Sequence, residues 1–121
     1  MEQIRVLLAE MPQMLRDAFT QLVAGQSDME LVGDLADPLG LLLAAGQTRT
    51  DAVIMGLQDS EFPGICSHLL SEYPHIKVVG ITRDGRRAFL YELRPQRAAI
   101  GEVSPQDVLD AIRGAVHSHS V

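Results

Sequence analysis

The sequence predicts an α/β fold built on a central parallel sheet, and three observations carry that expectation. Short apolar runs alternate five times with segments of helical periodicity. No linker, internal repeat or low-complexity stretch divides the 121 residues, so residues 1–121 are expected to form one domain. A composition 46% hydrophobic and 21% charged supports one buried core and excludes a disordered chain.

Ile4-Arg5-Val6-Leu7-Leu8-Ala9 is nearly all apolar, as a strand covered on both faces should be. Met11, Met14, Leu15, Ala18, Phe19, Leu22 and Val23 then form a helical stripe, closed by Gly25. Met29 to Val32 predicts a second strand. Asp37-Pro38 reads as a helix start and Gly46 as its stop. Ala52 to Met55 is a third strand, and Ser60 to Tyr73 a helix ended before Pro74. Ile76 to Ile81 is a fourth strand, Arg86 to Leu93 a short helix, and Arg97 to Ile100 a fifth strand. Ser104-Pro105 opens a last helix with Val108, Leu109, Ile112, Ala115 and Val116 inward. Five β-α units in this order imply right-handed crossovers with helices on both faces, a three-layer sandwich.

Several functions are excluded on composition and motif. No apolar run approaches the ~18 residues that would cross a bilayer, and Met1-Glu2-Gln3-Ile4 lacks a signal peptide's basic start, so a cytoplasmic protein is expected, away from membranes. The single cysteine, Cys66, allows no internal disulfide and no four-cysteine zinc site. A net charge of −6 argues against direct nucleic-acid binding. His117-Ser118-His119 lacks further nearby ligands, and no metal site is expected. There is no P-loop, G-x-G-x-x-G, G-x-S-x-G or H-E-x-x-H, so the expectation is a protein that is not an enzyme.

Working sites of open parallel sheets lie at the carboxyl ends of the strands. Here those ends read Ala9-Glu10-Met11, Met55-Gly56-Leu57, Ile81-Thr82-Arg83 and Ile100-Gly101-Glu102. With Leu15-Arg16-Asp17-Ala18-Phe19, Asp51 to Met55, Tyr73 to Val79 and Ser104-Pro105, they give a sequence that resembles the receiver domain of bacterial response regulators over residues 4–116. The nearest branch is the one whose receivers precede a helix-turn-helix output domain. The resemblance implies the flavodoxin-like (βα)5 fold with sheet order 2-1-3-4-5. It also implies phosphorylation of an aspartate ending the third strand. Two acids after the first strand then help to bind Mg²⁺, a Thr or Ser ends the fourth strand and a Lys ends the fifth.

Carried over position by position, the acidic pair becomes Glu10 and Met11, the phosphoacceptor Gly56, the hydroxyl Thr82 and the lysine Gly101. Glycine has nothing to phosphorylate, and Glu10 alone supplies too few charged ligands, so no cofactor is expected and the Mg²⁺ site is read as lost. Gly56, ending a strand, is expected to face solvent and to accept an aspartate. Asp51 and Asp59, the nearest acids, fall at the wrong end of the third strand and in the following loop.

Two surface features suggest an interaction surface. Arg83, Arg86, Arg87, Arg94 and Arg97 against Asp84 and Glu92 make residues 83–97 carry +3, leaving −9 on the remainder. Arg83, Arg86 and Arg87 have the spacing of one helix face. In the apolar helix from Leu39, Leu41 lies opposite Leu39, Leu42 and Leu43 and is the candidate contact residue. The expected function is that of a pseudo-receiver, a signalling domain acting by phosphorylation-independent binding to a protein partner or to itself, as a homodimer. It would be free-standing or the amino-terminal regulatory part of a transcriptional regulator. Two alternatives remain: a phospho-accepting receiver using a displaced acid such as Asp59, and a small-molecule sensor at the emptied pocket near Glu10, Gly56, Thr82 and Gly101.

Overall fold

The computed structural model describes residues 3–35, 38–57, 64–91 and 97–117. Along the chain run β1 (Ile4–Ala9), α1 (Gln13–Ala24), β2 (Met29–Leu35), α2 (Pro38–Gln47), β3 (Ala52–Leu57), α3 (Gly64–Glu72), β4 (Lys77–Thr82), β5 (Arg87–Tyr91), β6 (Arg97–Glu102) and α4 (Pro105–His117). They build one six-stranded sheet in the order β2-β1-β3-β4-β5-β6. The first four strands are mutually parallel, with Val6 opposite Ala52 and Ala52 opposite Lys77. The fold class and the 2-1-3-4-5 order read from the sequence both hold.

One element is corrected. Residues 87–91, expected within a helix, form β5, antiparallel to β4 with Val78 opposite Tyr91 and Ile81 opposite Ala88. β6 pairs antiparallel to β5 in turn, so it points the same way as β4 but one strand further out. The cause is the turn at 82–87. Gly85 takes φ +74° and its N–H donates to the Thr82 carbonyl at 2.8 Å, reversing the chain before a helix can start. Asp84-Gly85 between apolar runs is a hairpin signal, and it outweighs the helical spacing of the arginines. The sheet is therefore mixed, with four helices among the described residues.

Alternation along the strands sorts the core onto two faces. Val6, Leu8, Ile54, Val79 and Ile81 pack with Phe19 and Val23 of α1 and with Val108, Leu109 and Ile112 of α4. Leu7, Ala9, Val53, Met55 and Val78 pack with Leu41 and Ala45 of α2 and with Leu69 and Leu70 of α3. Two sequence expectations change here. Leu41 is buried while Leu39 and Leu43 are exposed, so the face of α2 offered to solvent is the opposite one. Of the stripe expected along α1, Met14 is 83% exposed and Ala18 is exposed too, while Met11, Leu15, Phe19, Leu22 and Val23 line the inner side.

α4 begins where the sequence placed it. The Asp107 carboxylate accepts the Ser104 N–H at 2.9 Å and the Ser104 hydroxyl at 3.0 Å, satisfying groups that a helix start leaves open. Those bonds hold the Asp107 carboxyl below its ordinary value. At the other end of α4, Arg113 donates to both Asp28 oxygens, at 2.6 and 2.8 Å, and fastens the helix to the loop before β2.

Candidate functional site

The carboxyl end of the sheet was the expected site, and its residues there do not converge. Glu10 closes β1 in the left-handed conformation, φ +52°, with its N–H donating to the Leu35 carbonyl at 3.0 Å. This turns the Glu10 carbonyl over β3. A Cβ built on Gly56 would overlap that carbonyl oxygen and lie 3.1 Å from its carbon and 3.3 Å from the Met11 Cα. Gly56 is buried, which corrects the expectation that it faces solvent. Where a side chain would begin, backbone of the β1–α1 connection already sits.

Met11 turns inward, only 4% exposed, among the side chains beneath α1 and α4. Its thioether is thus part of the core and not of a pocket rim. Thr82 is fully engaged: its hydroxyl donates to the Asp84 carboxylate at 2.7 Å and accepts the Arg87 N–H at 3.1 Å. The Asp84 carboxylate also accepts the Arg86 N–H at 3.0 Å. These bonds, the Thr82 hydroxyl first, hold the Asp84 carboxyl below its ordinary value, with the Arg86 and Arg87 charges adding to the effect. Thr82 and Asp84 are turn-builders. Gly101 stands on β6 opposite Ala88 of β5, so with β5 in between it lies two strand spacings from β4, about 9.6 Å, where a neighbouring strand would lie at one. Its φ of +94° would strain any lysine placed there.

The family's Mg²⁺ does not fit what is present. Glu10 is the one carboxylate among the five carried-over positions, Met11 offers a buried sulfur, and the Gly56 position is filled by backbone. Among the described residues no three His, Cys, Asp or Glu side chains gather as a metal-holding group. Asp59 and Arg94 lie outside the described residues, as do the side chains of Cys66 and Arg97. Asp51 precedes β3 at the amino end of the sheet, where its carboxylate accepts the Arg5 N–H at 2.9 Å.

Arg83 and Arg86 are exposed on the β4–β5 turn and Arg87 is exposed at the start of β5. The one-sided helical arrangement expected of them is replaced by display around a tight turn. Beside them a shallow cavity of about 290 Å³ is lined by Arg87, Ala88, Phe89, Gly101 and Glu102. A larger cavity opens at the amino end of the sheet, and the sequence reading missed it. Its polar lining comes from β1, β2, the α2–β3 and α3–β4 connections and the end of α2, which no sequence spacing links.

No family model matches the chain. Across 99% of its length it is 27% identical to the uncharacterized transcriptional regulatory protein YxjL of Bacillus subtilis. Across 98% it is 26% identical to the response regulator protein VraR of Staphylococcus aureus. The chain spans 57% and 59% of those relatives' lengths. The response regulator domain of Thermotoga maritima CheB superposes with a TM-score of 0.65, over 96% of this chain and 98% of that one, at 19% identity. The fold is the flavodoxin-like receiver fold, and the chain is a receiver-like domain similar in sequence to response regulators.

Proposed function

We propose that this domain has kept the receiver fold and lost the phosphorylation chemistry, and that it signals by phosphorylation-independent binding to a protein, as the regulatory part of a transcriptional regulator. One observation carries the reading: the Glu10 carbonyl occupies the space into which a phosphoacceptor side chain at position 56 would project. A nucleophilic carboxylate needs a side chain, an approach path and a metal to neutralise the phosphoryl group. Here the first two are absent at Gly56, and the residues around it are a poor match for the third. Thr82, which would answer a phosphoryl group, spends its hydroxyl on the turn.

Binding then falls to constitutive surfaces. Arg83, Arg86 and Arg87 stand exposed on a chain that is acidic elsewhere, which suits an acidic partner surface. Leu39 and Leu43, one turn apart on α2, supply exposed apolar area in place of the buried Leu41. No described helix is long and apolar enough to cross a membrane.

Incubation with acetyl phosphate and Mg²⁺, read by intact mass, tests the reading. The expected result is an unchanged mass and no spectral response to beryllofluoride. Gain of a phosphoryl group, mapped to Asp59 or any other acid, overturns it.

A further inference from the structure

The cavity at the amino end of the sheet measures about 610 Å³ and lies at the pole opposite Gly56. Arg5, Glu30, Arg49, Asp51, Tyr73 and His75 supply its polar wall. Arg49 adopts φ +53° just beyond α2, a left-handed position where glycine or asparagine closes a helix at lower cost. The Thr50 N–H returns to the Ala45 carbonyl at 3.2 Å and holds that geometry. Among the described residues the Arg49 side chain makes no hydrogen bond or ion pair. A strained arginine whose guanidinium is unused faces an open cavity.

The opposite charge is only half engaged. Asp51 uses Oδ2 to accept the Arg5 N–H, and Oδ1 has no partner among the described residues. Arg49 and Asp51 thus line one cavity two residues apart without pairing. The other pair is already compensated, with Arg5 Nε 3.8 Å from Glu30 and its Nη1 donating to the Thr48 carbonyl at 2.9 Å. The cavity lining also includes Ala45 and Gly46 in the last turn of α2, and Tyr73 just beyond α3, so it lies by helix carboxyl ends whose carbonyl dipoles favour a cation. The Tyr73 ring forms a wall, fixed by its hydroxyl donating to the Leu42 carbonyl at 3.1 Å. His75 Nε2 is held 3.2 Å from the Thr50 carbonyl.

An anion alone would gain Arg49 and meet Asp51; a cation alone would do the reverse. We infer that the cavity binds a zwitterion of the free α-amino acid type, its carboxylate on Arg49 and its ammonium on Asp51 and the helix-end carbonyls. The inference concerns the amino end of the sheet and stands independently of the loss of phosphorylation.

The test is calorimetric titration and thermal shift of the intact protein with the free L-amino acids one at a time, with sodium acetate and methylamine hydrochloride as single-charge controls. At least one amino acid should bind and raise Tm, and neither control should. Arg49→Gly relieves the left-handed strain, so the unliganded variant should melt higher by roughly 3–6 °C while binding at least about tenfold more weakly. A loss of binding in a more stable protein excludes misfolding as its cause. Asp51→Asn, which keeps the acceptor for Arg5, should also weaken binding about tenfold, one charge-assisted contact's worth. No response to any amino acid, an equal response to acetate, or undiminished binding by Arg49→Gly overturns the inference.

Discussion

At the carboxyl end of the sheet, backbone covers Gly56 and the polar groups of Thr82 and Asp84 are consumed by one turn. At the amino end, Arg49 and Asp51 line a large cavity without pairing. In the receiver fold the carboxyl end is the working end, so the contrast is between a site filled in from its own chain and a cavity still open. Filling a site with backbone is hard to reverse, because the obstruction is not a side chain that can swing away.

The sharpest way to break that contrast is to reopen the carboxyl end. Gly56→Asp should lower unfolding stability by at least about 3 kcal/mol, measured by urea denaturation, because overpacking against backbone adds to burial of a carboxylate. Gly56→Ala isolates the steric part and should cost about 2 kcal/mol. A Gly56→Asp protein as stable as wild type would show that the Glu10 carbonyl moves aside easily. Met11→Asp should cost a further ~3 kcal/mol, since the new carboxylate replaces a thioether in the core. Met11→Leu, of similar volume, should cost less than about 1.5 kcal/mol.

Smaller effects are expected at the braces of each end. Arg113→Ala removes the two-pronged contact with Asp28 and should cost about 1 kcal/mol, the quarter exposure of the guanidinium limiting the loss. Its clearest readout is faster amide exchange in the loop before β2. Ser104→Ala removes the cap of α4 at the carboxyl end and should cost about 1 kcal/mol.

Acid titration distinguishes the ends most gently. Asp84 and Asp107 both sit toward the carboxyl end with carboxyl values lowered by hydrogen bonds in the folded protein. A lowered folded value means the stabilisation is fully present above the unfolded value and is lost as pH falls through the folded one. Stability should therefore decline as pH drops below about 4, and the double variant Asp84→Asn, Asp107→Asn should flatten that decline. An unchanged slope would show that these bonds contribute nothing to the acid response.

Much of this architecture was legible in the residues. β1, β3 and β4 are apolar runs long enough to need cover on both faces, and Ser104-Pro105 carries a helix start in its own chemistry. β5 was misread because five residues suit either a turn and a half of helix or a short strand, and the arginine spacing pointed the wrong way. The inner face of α2 was undecidable by pattern, since Leu39, Leu41, Leu42 and Leu43 surround the helix. That Gly56 and Gly101 lack functional side chains is plain from the sequence. That Gly56 is roofed over and Gly101 sits one strand too far out is not.

The division has a physical reason. Strand and helix periodicity, capping and the missing carboxylate are properties of residues near one another in the chain, where sterics and local hydrogen bonds act without reference to the fold. Burial of Leu41, placement of the Glu10 carbonyl over Gly56, and the meeting of Arg5, Arg49, Tyr73 and His75 around one cavity join segments tens of residues apart. Those arrangements are set by sheet register and by which helix covers which face, quantities that exist only once the chain has packed.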